Sequence, residues 1–336
     1  MVSSTRGPSI VEPGTSSGAG YLFGQDHEAV LNGIGRRFSY ELMYQDITPN
    51  FHTDAGFVPR TDIRNLSEYF HFYWRPEGKH LVFYGPEINT HDIWDHNGIG
   101  LLHAYSSDWV FFFLPNLIVA PFFGTESDVL RPVDFAGLPT NRKFAQVSAG
   151  LILQGSPTRL ITWRTQIFRD GAVLVVVPKG QLPIMADETF ITQTLTIKPT
   201  GHLEIDNTYI LDRVLNGHHA SFNNHIIRSR WNYQFTRALS LRAIVQYNSL
   251  LANPSYTSLQ TTKNLNLDFL ITYLVHPGTA VYVGYNSNLE NLVPGLCIHL
   301  AGSLQCDPNG NGLVRSNSFI NDGRQFFVKI SYLFRR

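Results

Sequence analysis

The chain has 336 residues, enough for one large domain or two ordinary ones. Basic and acidic residues number 26 each, so the formal net charge is zero and no long-range field favours a nucleic acid as partner. Charged residues reach only 15%, and the absence of a run of about eighteen apolar residues argues against a transmembrane helix.

The first 35 residues are rich in Ser, Gly and Pro. This composition predicts a disordered lead or the remnant of an upstream strand. The segment lacks the positively charged start and the apolar run of a signal peptide. If the protein is exported, we expect the export signal to lie upstream in a longer chain.

From residue 36 onward, apolar and polar side chains alternate with the period of two that is typical of β-strands. The first strand is predicted near residues 36–46, where Phe38 and Tyr40 alternate with Ser39 and Glu41. Each strand is about ten residues long, which matches a tilted strand crossing a bilayer. Later alternating segments are 194–206, 227–248, 265–285 and 326–335.

Short and long connections alternate along the chain. Short turns are predicted at 76–78, 106–108, 156–158, 199–201, 236–238 and 276–278. Longer connections are predicted at about 47–64, 88–97, 122–142, 169–187, 213–224, 249–264 and 288–323. This asymmetry is typical of membrane barrels. We therefore predict that residues 36–336 form an all-β, antiparallel, up-and-down transmembrane β-barrel of about 14 strands, with long extracellular loops and short periplasmic turns.

The segment 226–247 predicts which face of the barrel meets lipid. Trp231 and Phe235 fall on one side of the strand and Arg230 on the other. If Phe235 pairs with Leu239 across the turn, Asn232 meets Arg242 and Arg228 meets Gln246. The predicted lumen-facing polar residues are Arg228, Arg230, Asn232, Gln234, Arg242, Gln246, Glu204, Asp206 and Asp268. A soluble β-sandwich is the alternative, and it would bury the aromatic face instead.

Two features fit the alternation badly. Gln193 and Asn207 fall on the predicted lipid side. The segment 109–120 is apolar on both faces and is interrupted by Pro115. It is interpreted either as a strand covered on its inner side by a plug or as a short buried helix, because periodicity does not separate the two.

Four motifs resemble a family of bacterial outer-membrane barrel domains of unknown function: GFVPRTDIR (56–64), LEIDNTYILDR (203–213), RSRWNYQFTRALSLRAIVQYNS (228–249) and FLITYLVHPGTAVYVGYN (269–286). In that family the barrel usually follows a carbohydrate-binding domain of the family-nine type. The resemblance runs from about Phe38 to the carboxyl terminus. It implies an outer-membrane location, and it implies that a carbohydrate-binding domain and several early strands belong to a longer chain.

Two groups of residues are candidate metal ligands. The loop 307–312 supplies oxygens at the first, third and fifth positions of a calcium loop through Asp307, Asn309 and Asn311. Its twelfth position is Ser318, where a calcium loop has a bidentate Glu. Imidazole and carboxylate groups suited to a transition metal gather in two predicted loops, and the main candidates are His91, Asp95, His96, His218 and His219. Solvated loop side chains explain the same residues, and no cofactor is expected.

The two cysteines, Cys297 and Cys306, fall in one Gly- and Asn-rich loop. In an oxidising compartment they are candidates for a disulfide, and two unpaired thiols are the alternative.

The sequence therefore predicts a bacterial outer-membrane barrel without enzymatic activity, acting as a pore or transporter linked to carbohydrate handling at the cell surface. Expected partners are outer-membrane lipid, the barrel assembly machinery, and small anionic or saccharide solutes. The arginines are interpreted either as an anion-attracting lining or as part of a salt-bridged wall. A saccharide hydrolase using carboxylates such as Glu204 and Asp206 is the alternative enzyme.

Overall fold

The structure is a computed structural model that describes residues 2–11, 22–52, 58, 60–76, 78–135, 137–297 and 313–333. Its regular elements within these ranges are sixteen strands. Across the same ranges, no helical segment has the length and apolar character needed to span a membrane. The strands are β1 (Val2–Val11), β2 (Leu22–Ile34), β3 (Phe38–Ile47), β4 (Ile63–Phe72), β5 (Leu81–Trp94), β6 (Gly100–Phe113), β7 (Leu117–Leu130), β8 (Arg142–Thr158), β9 (Ile161–Leu174), β10 (Ile184–Thr200), β11 (Leu203–Asn216), β12 (His219–Gln234), β13 (Leu239–Ala252), β14 (Thr262–His276), β15 (Thr279–Cys297) and β16 (Leu313–Tyr332).

The order of the strands in the sheet is their order in the sequence. Consecutive strands pair antiparallel from β1 to β6 and again from β9 to β16. The predicted all-β, antiparallel, up-and-down architecture is confirmed. The chain divides into unit 1, residues 1–114 with 118–150, and unit 2, residues 115–117 with 151–336.

The sheet begins earlier than predicted. Fourteen strands were expected from residue 36 onward, and β3 to β16 correspond to them. Two more strands, β1 and β2, lie within the first 35 residues, where a disordered lead or a strand remnant was predicted. Ser and Gly weaken a strand signal, but backbone pairing tolerates them: β2 pairs with β3 in register from Asp26↔Ile47 to Ile34↔Ser39.

The strands are longer, and several loops shorter, than predicted. β8 and β10 each have 17 residues and β16 has 20, against about ten expected. The predicted long connection at 213–224 is a tight turn at residues 217–218, flanked by paired strand. Polar residues mark the ends of these strands, and polar side chains do not prevent the backbone from continuing the ladder. The strict alternation of short and long connections is therefore only partly present.

Residues 109–120 form neither of the structures predicted for them. They end β6 and begin β7, with a turn at residues 114–116. Asn116 has a positive φ of 87° there, a conformation that Asn tolerates better than most residues. Pro115 begins the turn because its fixed φ suits that position. The turn predicted at 106–108 is wrong, since these residues lie inside β6.

In unit 1 a small apolar core lies at the strand ends that flank the β3–β4 and β5–β6 connections. Ile47, Ile63 and Leu101 are buried there, and Phe51 and Ile93 pack against them. Burial of these side chains holds the β3–β4 connection against the ends of the strands.

A charge network adjoins this core and joins three connections of unit 1. The Arg131 guanidinium donates to Asp134 at 2.9 and 3.1 Å and to Asp95 at 3.3 Å. Asp95 is 1% exposed and also accepts the backbone N–H groups of Asn97 and Ile99. Arg60 contacts Asp134 at 3.2 Å. The connections after β3, β5 and β7 are therefore tied together by hydrogen bonds to charged groups.

In unit 2 the β13–β14 connection reaches back to the β9–β10 connection. Thr257 is 2% exposed, and its hydroxyl donates to the backbone carbonyl of Val176 at 2.7 Å. The N–H of Ser258 donates to the same carbonyl at 2.9 Å. Beside them, the Tyr256 ring stacks on His219 with a centroid distance of 5.2 Å. We call this contact the loop clasp.

Candidate functional site

Strands β9–β16 give unit 2 two faces of opposite chemistry. One cross-strand row is apolar, and the adjacent row on the other face is polar. The apolar row is Ile161, Ile197, Ile205, Trp231, Ala243, Phe269, Tyr285 and Phe326. The polar row, in which Ile244 is the one apolar member, is Thr162, Thr196, Asp206, Arg230, Ile244, Asp268, Asn286 and Gln325. We call the faces that contain these rows the apolar face and the polar face.

The register across the β12–β13 turn is as predicted. The Phe235 N–H donates to the Leu239 carbonyl at 2.9 Å. Asn232 therefore pairs with Arg242, and Arg228 with Gln246. All nine residues predicted to face a lumen share the polar face. That this face lines a lumen stays a prediction.

The apolar face is exposed rather than packed into a core. Trp231 is 48% exposed, Phe235 51%, Phe269 44% and Tyr273 49%. The soluble sandwich predicted these rings to be buried against a second sheet, and their exposure contradicts that alternative. A large exposed apolar surface needs a partner that is itself apolar.

The polar face contains a hydrogen-bonded group around Asp206. Its carboxylate accepts bonds from Arg230 at 2.7 and 3.0 Å and from the Thr196 hydroxyl at 2.6 Å. Two residues farther along the same face of β10 and β11, the Lys198 ammonium lies 2.8 Å from the Glu204 carboxylate. Each of these carboxylates thus has a basic neighbour within ion-pair distance.

Two arginines of the polar face have no acidic partner. Within the part of the chain that the structure describes, Arg228 and Arg242 make no ion pair and no side-chain hydrogen bond. Arg230, on the same strand face as Arg228, is paired with Asp206. Arg230 therefore belongs to an ion-paired part of the wall, whereas Arg228 and Arg242 are not paired among the described residues. That these arginines attract an anion stays a prediction.

A cavity of about 640 Å³ lies on the polar face, at the end marked by the short turns 159–160, 201–202 and 235–238. It is open to solvent, and both polar and apolar side chains line it. The polar side chains that line it include Arg159, Lys198, His202, Glu204, Asn232 and Arg242. Four of these come from strands that the turn geometry brings side by side, which explains why no single motif marks the cavity in the sequence.

Asparagines dominate the polar face of β14 and β15. Asn286 donates to Asp268 at 2.6 Å and to Asn266 at 3.2 Å. Asn264 donates to Asn288 at 2.6 Å. We call this set the amide ladder. Asn264, Asn286 and Asn288 each already donate two hydrogen bonds within or beside this set, which uses both of their amide hydrogens. The remaining capacity for a hydroxyl-rich solute therefore lies mainly in acceptor lone pairs of the amide oxygens.

Gln193 and Asn207 lie on the apolar face, as the register predicts, and other polar groups satisfy them. The Gln193 carbonyl accepts a hydrogen bond from Thr165, and Asn207 accepts one from Ser229 at 2.8 Å. Ser229 in turn accepts a hydrogen bond from the Trp231 indole at 2.8 Å. Pairing within the face lowers the cost of placing these groups in an apolar setting.

An acidic group on the polar face was not recognised from the sequence. Glu188 pairs in register with Asp170, and its carboxyl group interacts with Asp212 from the next strand. One oxygen each of Asp170 and Asp212 is buried with no hydrogen-bond partner among the described residues. The signal in the sequence is weak because the three residues are spread over 42 positions and only the register assembles them.

A second cluster of polar side chains, on β4, β5 and β6 of unit 1, was also not recognised from the sequence. His71 is 4% exposed and lies 3.1 Å from Glu87, which pairs in register with Asp108 on β6. The Tyr69 hydroxyl is 3.3 Å from the same His71 nitrogen. These residues are ordinary strand positions in the sequence, so only the pairing of β4, β5 and β6 brings them together.

The candidate metal ligands that the structure describes are not brought together in one site. Across the described residues, no group of three or more His, Cys, Asp or Glu side chains is placed to hold a metal ion. Asp95 is bonded to Arg131, and His96 lies between Asp46 at 2.8 Å and Asp62 at 2.9 Å. His91 lies inside β5, and His218 and His219 lie at the β11–β12 turn.

The predicted calcium loop and one of the two cysteines lie outside the part of the chain that the structure describes. Asp307, Asn309, Asn311 and Cys306 lie outside the described residues. Cys297 is the last residue of β15. The calcium loop and the disulfide therefore stay predictions.

Electrostatics favours the charged state of the unit 1 loop network. Burial alone raises the pKa of Asp134, but the hydrogen bonds from Arg131 and the charge of Arg60 outweigh it and hold the pKa below its ordinary value. The same hydrogen bond to Asp134 raises the pKa of Arg131, against the opposing effect of burial. The two groups thus stabilise each other as ions.

No family model and no curated protein sequence matches the chain. Among solved structures, the ferric enterobactin receptor PfeA of Pseudomonas aeruginosa is 11% identical, with a TM-score of 0.46 over 92% of this chain and 56% of the receptor. The siderophore receptor PirA of Acinetobacter baumannii is 10% identical, with a TM-score of 0.48 over 96% and 57%. OmpT, an outer membrane protein of Vibrio cholerae, is 12% identical, with a TM-score of 0.35 over 92% and 96%.

The chain thus spans less than two thirds of the length of the receptors PfeA and PirA. Because the TM-scores are low, the antiparallel meander is established by the strand pairing of the chain itself.

Proposed function

We propose that the chain is a transmembrane β-barrel domain of the bacterial outer membrane, with its apolar face toward lipid and its polar face toward an aqueous lumen. The observation that carries the proposal is the pair of adjacent rows across β9–β16, one apolar and exposed, the other polar. A barrel in lipid needs this arrangement, because lipid satisfies neither backbone nor side-chain polar groups.

The sequential strand order supports the same proposal. An up-and-down meander can close on itself, and closure removes the unpaired strand edges that are costly in lipid. A Greek-key sandwich, by contrast, places strands side by side that are distant in the sequence. The described strands of unit 2 follow no such crossover.

We propose that the barrel acts as a pore or transporter for small hydrophilic solutes and performs no catalysis. The pairing of Glu204 with Lys198 and of Asp206 with Arg230 supports a structural role for the carboxylates nearest the cavity. The amide ladder offers acceptor oxygens suited to the hydroxyl groups of a saccharide, which is compatible with a role in carbohydrate handling at the cell surface.

Folding in detergent tests the membrane assignment. The full chain is refolded from denaturant into detergent micelles and analysed by electrophoresis with and without heating. We expect the unheated protein to migrate as a distinct compact band that heating converts to the unfolded position. Folding to a soluble monomer without detergent would contradict the proposal.

Conductance across a planar lipid bilayer then tests the lumen. We expect addition of the refolded protein to produce stepwise current increases in KCl. A heat-modifiable protein that produces no current would retain the membrane assignment and exclude an open pore.

A further inference from the structure

We propose that the cavity at the short-turn end of the polar face binds a small oxyanion, with Arg242 and Asn232 as its ligands and Arg159 as a further cationic group of the cavity lining. This inference rests on the proposed function, because it requires the polar face to meet an aqueous lumen. Its ligand class is a carboxylate, phosphate or sulfate group, whether free or carried on a larger solute.

The charge of the lining favours an anion. Arg159, Lys198 and Arg242 contribute three cationic groups. Glu204 is the only acidic residue of the lining, and its carboxylate lies 2.8 Å from the Lys198 ammonium. The charges of Glu204 and Lys198 approximately cancel, so the two arginines, Arg159 and Arg242, set the net charge of the cavity.

Neither arginine is engaged elsewhere. In the described ranges, Arg159 and Arg242 make no ion pair and no side-chain hydrogen bond, whereas Arg230, just outside the cavity lining, is held by Asp206. An unpaired guanidinium has five N–H donors in a planar fork, which matches the geometry of an oxyanion. The distinction between Arg230 and Arg242 is thus one of available donors and not of residue type.

Asn232 adds a neutral donor next to Arg242. The two residues are direct cross-strand partners, so their Cβ atoms are about 5 Å apart on the same face. The Asn232 side chain has no hydrogen-bond partner within the described part of the chain. Its amide N–H can therefore donate to an oxyanion held by the Arg242 guanidinium.

His202 is placed to orient the rim of the cavity and not to bind the anion. Its Nδ1 lies 3.0 Å from the Gln234 backbone carbonyl, which can only accept, so Nδ1 carries the hydrogen. This hydrogen bond joins the β10–β11 turn to the end of β12 and fixes one wall of the cavity.

Block of conductance by inorganic pyrophosphate tests the site. The full chain is refolded in detergent, inserted into planar bilayers in KCl, and titrated with pyrophosphate from each side. We expect block of the wild-type current, and we expect Arg242→Gln to require about tenfold more pyrophosphate, since it removes a hydrogen bond to a charged group. Arg159→Gln should act in the same direction.

Arg237→Gln is the matched control. It removes the same charge at the same end of unit 2, but Arg237 lies in the β12–β13 turn outside the cavity lining. We expect its block to stay within about twofold of wild type, and each variant must show the heat-modifiable band. An equal loss of pyrophosphate block in Arg237→Gln would show that the overall positive charge at this end of the sheet causes the block. That result would overturn the site.

The failure of this inference is distinguishable from failure of the proposed function. A conducting wild type that pyrophosphate does not block would overturn the oxyanion site and leave the pore intact. A protein that does not conduct would overturn the pore. Titration calorimetry of pyrophosphate into the detergent-folded chain would then decide the site, with Arg242→Gln expected to weaken the binding by the same factor of about ten. An absence of binding heat in the wild type would count against the site.

Discussion

Asp206 accepts two hydrogen bonds from Arg230, at 2.7 Å from Nη2 and 3.0 Å from Nε, and a third at 2.6 Å from Thr196. The three residues come from three adjacent strands of unit 2. The group therefore joins β10, β11 and β12 across the polar face.

Asp206→Asn should destabilise the folded chain by about 1–2 kcal/mol, because it leaves the Arg230 guanidinium without its carboxylate. The temperature at which the unheated electrophoretic band disappears measures the effect. Glu204→Gln is the control: its ion pair with Lys198 is more exposed and should contribute less to stability. Equal effects of the two changes would contradict a special role for Asp206.

Val245→Arg should destabilise the chain far more than Gln246→Arg. Val245 lies on the apolar face and Gln246, the next residue, on the polar face. An arginine on the lipid side of a barrel costs about 2–4 kcal/mol near the bilayer midplane, whereas a lumen position is wet. Guanidinium titration of the refolded protein in lipid vesicles measures the difference. Two equally tolerated variants would remove the assignment of the apolar face to lipid.

Acid should loosen the connection after β7 in unit 1. The pKa of Asp134 is lower in the folded chain than in the unfolded chain, so its stabilising contribution is complete above its unfolded pKa, near 4. That contribution is lost as the pH falls through the lower folded pKa. The rate of hydrogen exchange in residues 131–135 should therefore rise below about pH 4.

The control for this acid effect is Asp134→Asn. It should exchange faster at neutral pH and should lose most of the acid-induced change, because the titrating group is gone. An unchanged pH profile in the variant would show that another group controls the connection. The charge network around Arg131 would then need a different explanation.

Thr257→Val should open the loop clasp without unfolding the strands. The substitution keeps the shape of the buried side chain but removes the hydroxyl that donates to the Val176 carbonyl. We expect a loss of about 1 kcal/mol and faster proteolysis within residues 253–261. Ser255→Ala, at an exposed position of the same connection, should leave the proteolysis rate unchanged. Similar rates for both variants would contradict the clasp.

Gly284→Ala should be destabilising because the Phe327 ring lies against this glycine on the neighbouring strand. An added Cβ would meet the ring at 2.2 Å, so the ring must move, at a cost of about 1–3 kcal/mol. Gly323→Ala is the control, since its nearest neighbour would be at 3.9 Å. Adding Phe327→Leu to Gly284→Ala should restore part of the lost stability. Failure of that rescue would exclude the ring contact as the cause.

One strand pairing and two turns show what the sequence pattern of this chain can and cannot predict. The pairing of Asn232 with Arg242 followed from the alternation and from one turn, because a hairpin turn sets the register of both strands. The turn predicted at 106–108 failed because polar residues also occur inside a strand whose polar face is wet. The turn at 114–116 was hidden by the apolar residues on both sides of Pro115.

The site could be predicted only in part. Arg228, Arg230 and Arg242 were assigned to one face from the period of two, which is a local property. Which of them is paired depends on Asp206 of the neighbouring strand, 24 residues from Arg230. The cavity needs turns at three places in the chain, and Arg159 enters it from a turn that carries no motif.

The sequence by itself determined the all-β class, the antiparallel meander and the division into a polar and an apolar face, because alternation and turn chemistry act over a few neighbouring residues. Only the tertiary structure decided which charges are neutralised, where the cavity lies and which connections touch. Those properties arise from the register between strands, and hydrogen bonds and ion pairs form only where that register brings distant residues within a few ångströms.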